Sequence, residues 1–139
     1  MPKTCAQVPD WTTAVAPTLA DVEVIANAAY LTIPAQLRAQ VDPVAILVVD
    51  FPDDETLDEM GCETAFDLLG LYQGVSLDRK SVTDTPRDVD RIFLYRRPLL
   101  DFWSESGEEF GHLVRHVLIH EIGHHFGYSD DDMEAIDNE

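Results

Sequence analysis

Residues 120–130 are His-Glu-Ile-Gly-His-His-Phe-Gly-Tyr-Ser-Asp, a stretch that combines an HExxH motif with a glycine and an aspartate at metal-ligand spacing. On an α-helix each residue turns about 100°, so His120 and His124 lie one turn apart on the same face and can share one metal ion. Glu121 lies about 100° from His120, outside the ligand set but close to a water in a fourth coordination position. These residue types at this spacing predict a zinc hydrolase site with Glu121 as the general base.

A third protein ligand is needed besides the two histidines, because a catalytic zinc site keeps only its last position for water. Asp130 is the candidate, provided that the chain turns back at Gly127, where a glycine just past a helix end can adopt φ > 0. Asp131 or a ligand from outside this segment is the alternative. Asp130 also fits a second, compatible role, since Ser129 is a good N-cap and acidic residues suit the first turn of a following helix.

Three further histidines accompany the motif. His125 lies about 140° from His120 on the helical wheel, which predicts a packed or hydrogen-bonded core position pointing away from the ion. His116 and His112 precede His120 by one and two turns, and His116 is interpreted as a residue behind the ligands or at the surface. Gly123 costs about 1 kcal/mol relative to alanine in a helix, so it either marks close approach of another backbone or of substrate or is merely tolerated.

The elements around the motif predict an α+β fold, a small sheet of about three strands packed with helices that include the HExxH helix. Apolar residues at steps of three and four predict that this helix is pressed against a core. Strands are predicted at 44–49, 68–75 and 91–97, the first of them at the centre of the sheet, with a polar connection at 81–90. Helices or helical turns are predicted from Thr18 to about Tyr30, from Ile33 to about Val41, at 56–60 and at 99–106. Residues 1–17 are predicted to form a loosely ordered N-terminal arm before one domain at 18–139.

The composition narrows the class of partner. The formal net charge of −18 argues against nucleic acid, whose phosphates are bound by basic patches. The electrostatic field of this negative charge favours cationic peptides or metal ions, although a role in solubility alone explains the charge equally well. Cys5 and Cys62 form no disulfide framework, and no basic leader or long apolar run is present, so a cytoplasmic protein without a membrane partner is expected.

Three separated blocks resemble the small bacterial proteins called minimal metalloproteases, or possible neutral zinc metallopeptidases. The blocks are residues 69–74 (LGLYQG), 92–98 (IFLYRRP) and 114–130 (VRHVLIHEIGHHFGYSD), and the similarity extends over residues 18–137. The resemblance implies a compact zincin-like fold with His120 and His124 as zinc ligands, Glu121 as base and Asp130 as third ligand. Gly123 departs from that pattern, which often has alanine there. Met133 is too near the second histidine to be assigned the role of the methionine turn found in larger metzincins.

The sequence therefore predicts a zinc-dependent peptidase with a shallow cleft, acting on a peptide or protein substrate. An extended substrate is expected to pair with a sheet edge, for which Arg91–Arg97 is the candidate. Tyr95, Tyr128 or an arginine are candidates to stabilise the oxyanion, and the spacing selects none of them. The alternative hypothesis is a zinc-binding regulatory or interaction module without turnover. Iron, cobalt or nickel would fit the same ligands in vitro.

Overall fold

The computed structural model describes residues 10–74 and 89–138, which form six α-helices and a three-stranded sheet. A short 3₁₀ helix at Asp10–Thr13 comes first, and residues 1–9 of the predicted arm lie outside the described residues. The helices are α1 (Leu19–Leu31), α2 (Ala35–Val41), α3 (Asp54–Glu59), α4 (Arg96–Ser106), α5 (Phe110–His125) and α6 (Asp130–Asp137). The strands are β1 (Val44–Val49), β2 (Gly70–Gln73) and β3 (Asp90–Tyr95). The α+β prediction is confirmed. Most of the predicted polar connection at 81–90 lies outside the described residues.

The sheet has the order β1-β3-β2, with β3 parallel to β1 and antiparallel to β2. The prediction that β1 is the central strand is therefore wrong, and so is the prediction that Arg91–Arg97 forms an edge. As the central strand, β3 presents apolar side chains to both faces: Ile92 and Leu94 are fully buried on one, and Phe93 and Tyr95 lie on the other. β1 is equally apolar, but Leu47 and Val49 remain partly exposed.

One face of the sheet packs against α1 and α5, and this layer holds the core. The predicted apolar stripe of α5 is confirmed: all six of its residues are buried. These residues are Phe110, Leu113, Val114, Val117, Leu118 and Ile122. Thr18 caps α1 through a reciprocal hydrogen-bond pair with Asp21. No helix in the described ranges is long and apolar enough to cross a membrane.

Helix α4 begins at Arg96, inside the segment predicted as a strand. Pro98 directly follows the predicted strand and is compatible with a strand end, but proline also fits a first helical turn, where the backbone N–H would lack an intrahelical partner. Arg96 donates hydrogen bonds to the Pro17 carbonyl oxygen at 2.6 Å and to Asp50 at 3.1 Å. The arginine therefore ties the start of α4 to the segments before α1 and after β1.

Gly70 allows α5 to cross β2 at close range. A Cβ atom on Gly70 would lie 2.9 Å from Val117 Cγ1 and 3.0 Å from the Phe93 carbonyl oxygen, and both distances are too short for ordinary packing. Because the backbone oxygen cannot move without disturbing the ladder, only glycine fits this position. The close crossing brings the C-terminal turns of α5 beside the sheet edge.

We predict that Gly70→Ala lowers the free energy of unfolding by about 1–3 kcal/mol through overpacking. Gly111→Ala is the matched control, because a Cβ atom there meets nothing within 4 Å in the first turns of α5. That substitution should stabilise by up to about 1 kcal/mol through helix propensity. Urea unfolding of both variants measures the two changes, and equal effects of the same sign would contradict the close-packing account.

Candidate active site

The last two turns of α5 carry His120, Glu121 and His124 on adjoining faces. The imidazole rings of His120 and His124 have centroids 5.7 Å apart and planes at 82°. His120 is partly buried, and this burial lowers its pKa, with a smaller contribution from the neighbouring histidines. A neutral imidazole is the form that binds a metal. The structure thus brings together the two histidines that the sequence predicted as a pair.

The chain reverses after α5 and leads directly into α6. Gly127 has φ +78°, and the Tyr128 N–H donates to the Gly123 carbonyl oxygen at 2.8 Å, so the predicted glycine turn is confirmed. Ser129 caps α6 in a reciprocal pair with Asp132, as predicted. Asp130 is the first residue of α6, and its carboxylate weakly opposes the lowering of the His120 pKa. Asp130 therefore lies within electrostatic range of the histidine pair.

The third ligand is not in coordinating position. Within residues 10–74 and 89–138, no three histidine, cysteine, aspartate or glutamate side chains are gathered closely enough to hold one ion. The structure thus places the histidine pair and Glu121 on one helix, without a third ligand at coordinating distance among the described residues. Assignment of Asp130 as a ligand remains a prediction.

Asp137, near the end of α6, anchors that helix to α5. Its carboxylate accepts a hydrogen bond from Arg115 Nη1 at 3.2 Å, and it is bonded to His116 Nδ1 at 2.6 Å. The His116 ring in turn lies against His120, with 4.1 Å between centroids. His116 therefore lies against the candidate ligand His120, on the side away from the ion. This is one of the two positions that the sequence analysis gave for His116. Sequence spacing gave no signal for Asp137.

Glu121 is bonded to the edge strand. Tyr95 donates its N–H to the Leu69 carbonyl oxygen, so these two residues form a hydrogen-bonded pair of the ladder. Hydrogen-bonded and non-hydrogen-bonded pairs alternate along an antiparallel ladder, so the pair that contains Tyr72 is a non-hydrogen-bonded one. The N–H and C=O groups of Tyr72 consequently point away from β3, toward the free side of β2. Glu121 Oε1 accepts the Tyr72 N–H at 3.1 Å. Burial raises the pKa of Glu121, and this hydrogen bond opposes the rise.

His125 completes the contact between α5 and β2. Its ring stacks on Tyr72 with 3.9 Å between centroids, and it lies beside Gly74. The prediction of a core position is wrong, since His125 is exposed. The helix ends at this residue, so no further layer covers it. The Tyr72 hydroxyl is bonded to Asp90, which fixes the ring on which His125 rests.

The comparison with family models agrees with this arrangement. The model described as zincin-like metallopeptidase matches residues 41–139, well over half of the chain. The chain belongs to the zincin-like metallopeptidase family. The match includes all three strands and the helix-turn-helix that carries His120 to Asp130. A search of curated proteins found no match.

Membership of the zincin-like metallopeptidase family implies a zinc ion, and the donors present suit one. Two imidazoles and a carboxylate form a common catalytic zinc set, and exposed His124 leaves the site open to solvent. The residues that would hold the ion are His120 and His124, with Asp130 as the candidate third ligand. Cys62, the free cysteine within the described ranges, is remote from the motif in sequence and is not needed for this set.

The two tyrosines considered for the oxyanion differ in their surroundings. Tyr128 follows the glycine turn, and its hydroxyl accepts a hydrogen bond from Gln40 at 2.7 Å. Tyr95 is almost fully buried at the end of β3, and burial, followed by the Asp53 charge, raises its pKa to about 12. Neither hydroxyl is singled out as an oxyanion donor by these contacts.

Gly123 accommodates the side chain of Met133 in this zincin-like metallopeptidase. A Cβ atom on Gly123 would lie 2.3 Å from Met133 Sδ and 2.6 Å from its Cγ. Met133 is fully buried and packs beneath the turn of α5 that carries both histidines. The close approach predicted as one explanation of Gly123 thus comes from a side chain of α6. Alanine at this position requires Met133 to move.

We predict that Gly123→Ala destabilises the protein by about 1–3 kcal/mol through overpacking. In a Met133→Ala background the same substitution should be stabilising by about 1 kcal/mol, because the clash is gone and alanine is the better helix former. Urea unfolding of the four proteins of this double-mutant cycle measures the coupling. An equal effect of Gly123→Ala in both backgrounds would rule out the contact as its cause.

Proposed function

We propose that the protein is a zinc-dependent metallopeptidase that cleaves peptide bonds, with Glu121 as general base and His120, His124 and Asp130 as the metal ligands. The observation that carries the proposal is the position of Glu121. It lies on the helix that bears the histidine pair, and its carboxylate accepts the outward N–H of edge-strand residue Tyr72 at 3.1 Å. The candidate base is thus next to both the candidate metal site and a strand edge that can align an extended peptide.

The substrate would pair with β2. This strand is an edge of the three-stranded sheet, and the Gly70 N–H and C=O and the Tyr72 C=O point outward for hydrogen bonding to an added strand, while the Tyr72 N–H is bonded to Glu121. β2 replaces the Arg91–Arg97 segment as the docking edge, since β3 is central. Pairing along β2 would bring the scissile bond beside Glu121 without a deep pocket.

Each group at the site has a separate role in the proposed reaction. A zinc ion bound at this site would polarise the substrate carbonyl and lower the pKa of its own water to about 7. Glu121 takes the proton of the attacking water and later delivers it to the leaving amine. The partly buried environment that raises the pKa of Glu121 makes the carboxylate a better proton acceptor. The Tyr72 N–H orients the carboxylate between these two transfers.

Replacement of the base tests the reaction directly. We expect zinc-loaded Glu121→Gln to lose peptide cleavage by about a hundredfold or more, because general acid–base catalysis contributes that much or more, while its zinc content is unchanged. Cleavage of a proteome-derived peptide library, together with elemental analysis, measures both quantities. Glu134→Gln is the matched control, since Glu134 is exposed on α6.

Two outcomes would contradict the proposal. Full cleavage activity in Glu121→Gln would remove Glu121 from the reaction. Stable zinc binding by the parent protein with no cleavage of any peptide would favour the alternative, a zinc-binding module without turnover.

The third ligand has its own test. We expect Asp130→Asn to weaken zinc binding at least about tenfold, a loss seen even for groups that only support a ligand. Asp131→Asn makes the same charge change at the next position of the same helical turn and should bind zinc as the parent does. Competition with a chromophoric chelator measures the affinities. A loss in Asp131→Asn instead would assign the role to Asp131, and no loss in either would place the ligand elsewhere.

A further inference from the structure

The sheet face opposite α1 and α5 carries a cavity of about 390 Å³. Its apolar walls come from all three strands and from the segment after β1: Val49, Phe51, Leu71 and Phe93. The Phe51 ring is held in place by an edge-to-face contact with Phe66 at 5.2 Å, and Arg97 lies over its ring at 5.6 Å. The cavity is thus a defined feature of the fold, separate from the histidine pair.

The polar residues that line the cavity all offer hydrogen-bond acceptors. They are Asp53, Thr56, Gln73 and Tyr95, and among the residues that the structure describes no lysine, arginine or histidine lines it. Asp53 caps α3 through Oδ1, and its hydrogen bonds with Thr56 hold its pKa below the usual range, so the carboxylate is ionised. Tyr95 is 3% exposed and lines the cavity. A ligand that donates hydrogen bonds matches these acceptors.

The cavity adjoins the strand edge beside Glu121. Leu71 and Gln73 line it, and they flank Tyr72, whose outward N–H is bonded to Glu121. Side chains of an added strand alternate between the two faces of a sheet. A peptide paired with β2 therefore directs every second side chain to the face where Leu71, Gln73 and the cavity lie.

We propose that the cavity binds an arginine or lysine side chain of the peptide substrate, its alkyl part against Leu71 and Phe93 and its cationic end near Asp53. This inference rests on the proposed peptidase function and adds a substrate class to it. A side chain with an apolar stem and a charged, hydrogen-bond-donating end matches the mixture of walls and acceptors. The chain's net charge of −18 also attracts cationic peptides.

Binding is tested first without reference to cleavage. Acetyl-arginine methylamide and acetyl-norleucine methylamide are titrated into the protein, and backbone amide shifts are followed by NMR. We expect the arginine derivative to shift the signals of Leu71, Gln73 and Phe93 and to bind at least about threefold more tightly than the norleucine derivative. Absence of these shifts, or equal binding of both compounds, would overturn the proposal.

The role of Asp53 is tested with a charge-only change. Asp53→Asn keeps a good N-cap for α3 and removes the carboxylate charge, and Asp54→Asn removes the same charge from the next residue, which does not line the cavity. We expect Asp53→Asn to weaken binding of the arginine derivative about threefold to fivefold, as for a solvent-accessible ion pair, and Asp54→Asn to leave it unchanged. Equal losses in both variants would indicate a general charge effect and contradict a specific contact.

The peptide library links the cavity to the reaction. We expect the zinc-loaded parent protein to prefer arginine or lysine at one position near the cleaved bond, and Asp53→Asn to lose that preference about threefold to fivefold. Cleavage without any such preference would overturn this inference and leave the peptidase function standing. If the parent cleaves nothing, the peptidase function fails, and the NMR titration alone decides whether the cavity binds a cationic side chain.

Discussion

Burial of α5 is the constraint on which the rest of the structure depends. Its apolar stripe packs against α1, β2, α4 and α6, and a fully buried aliphatic side chain stabilises by about 1.5–3 kcal/mol. Several such residues outweigh the cost of about 1 kcal/mol for a glycine within the helix. Burial of the apolar stripe therefore holds the helix rigidly, although its last two turns carry the polar side chains of the candidate site. Gly70 and Gly123 let β2 and Met133 approach that same segment closely.

This rigid placement explains how a small chain can assemble a candidate catalytic centre from one helix, one turn and one strand. The helix supplies His120, Glu121 and His124, and the glycine turn leads to Asp130. The edge strand contributes a single backbone N–H to Glu121. Asp137 anchors the far end of α6 through Arg115 and His116, so the acid and the histidines belong to elements that are fixed to each other.

Much of the helical structure could be predicted from local sequence because its signals are local. The capping residues Thr18 and Ser129, the glycine turn at Gly127 and the apolar period of α5 act within a few residues of one another. Strand order could not be predicted in this way, since β1 and β3 are both apolar and only long-range pairing decides which is central. The start of α4 was missed because Pro98 is compatible with either a strand end or a first helical turn.

The candidate site was predictable to a similar extent. The motif predicts which residues share a helical face, and the structure agrees for His120 and His124. Contacts between distant segments left no sequence signal: the Tyr72 N–H on Glu121, Met133 against Gly123, and Asp137 behind His116. His125 was assigned to the core because a helical wheel gives direction but does not show where the covering layer ends.

The central claim is that one zinc ion is held by two imidazoles and a carboxylate at the C-terminal end of α5. X-ray absorption at the zinc edge of the zinc-loaded protein tests it most directly. The account predicts two nitrogen ligands at about 2.0–2.1 Å, with carboxylate and water oxygens at about 2.0–2.2 Å. A sulfur ligand at about 2.3 Å, or a shell without imidazole scattering, would contradict it.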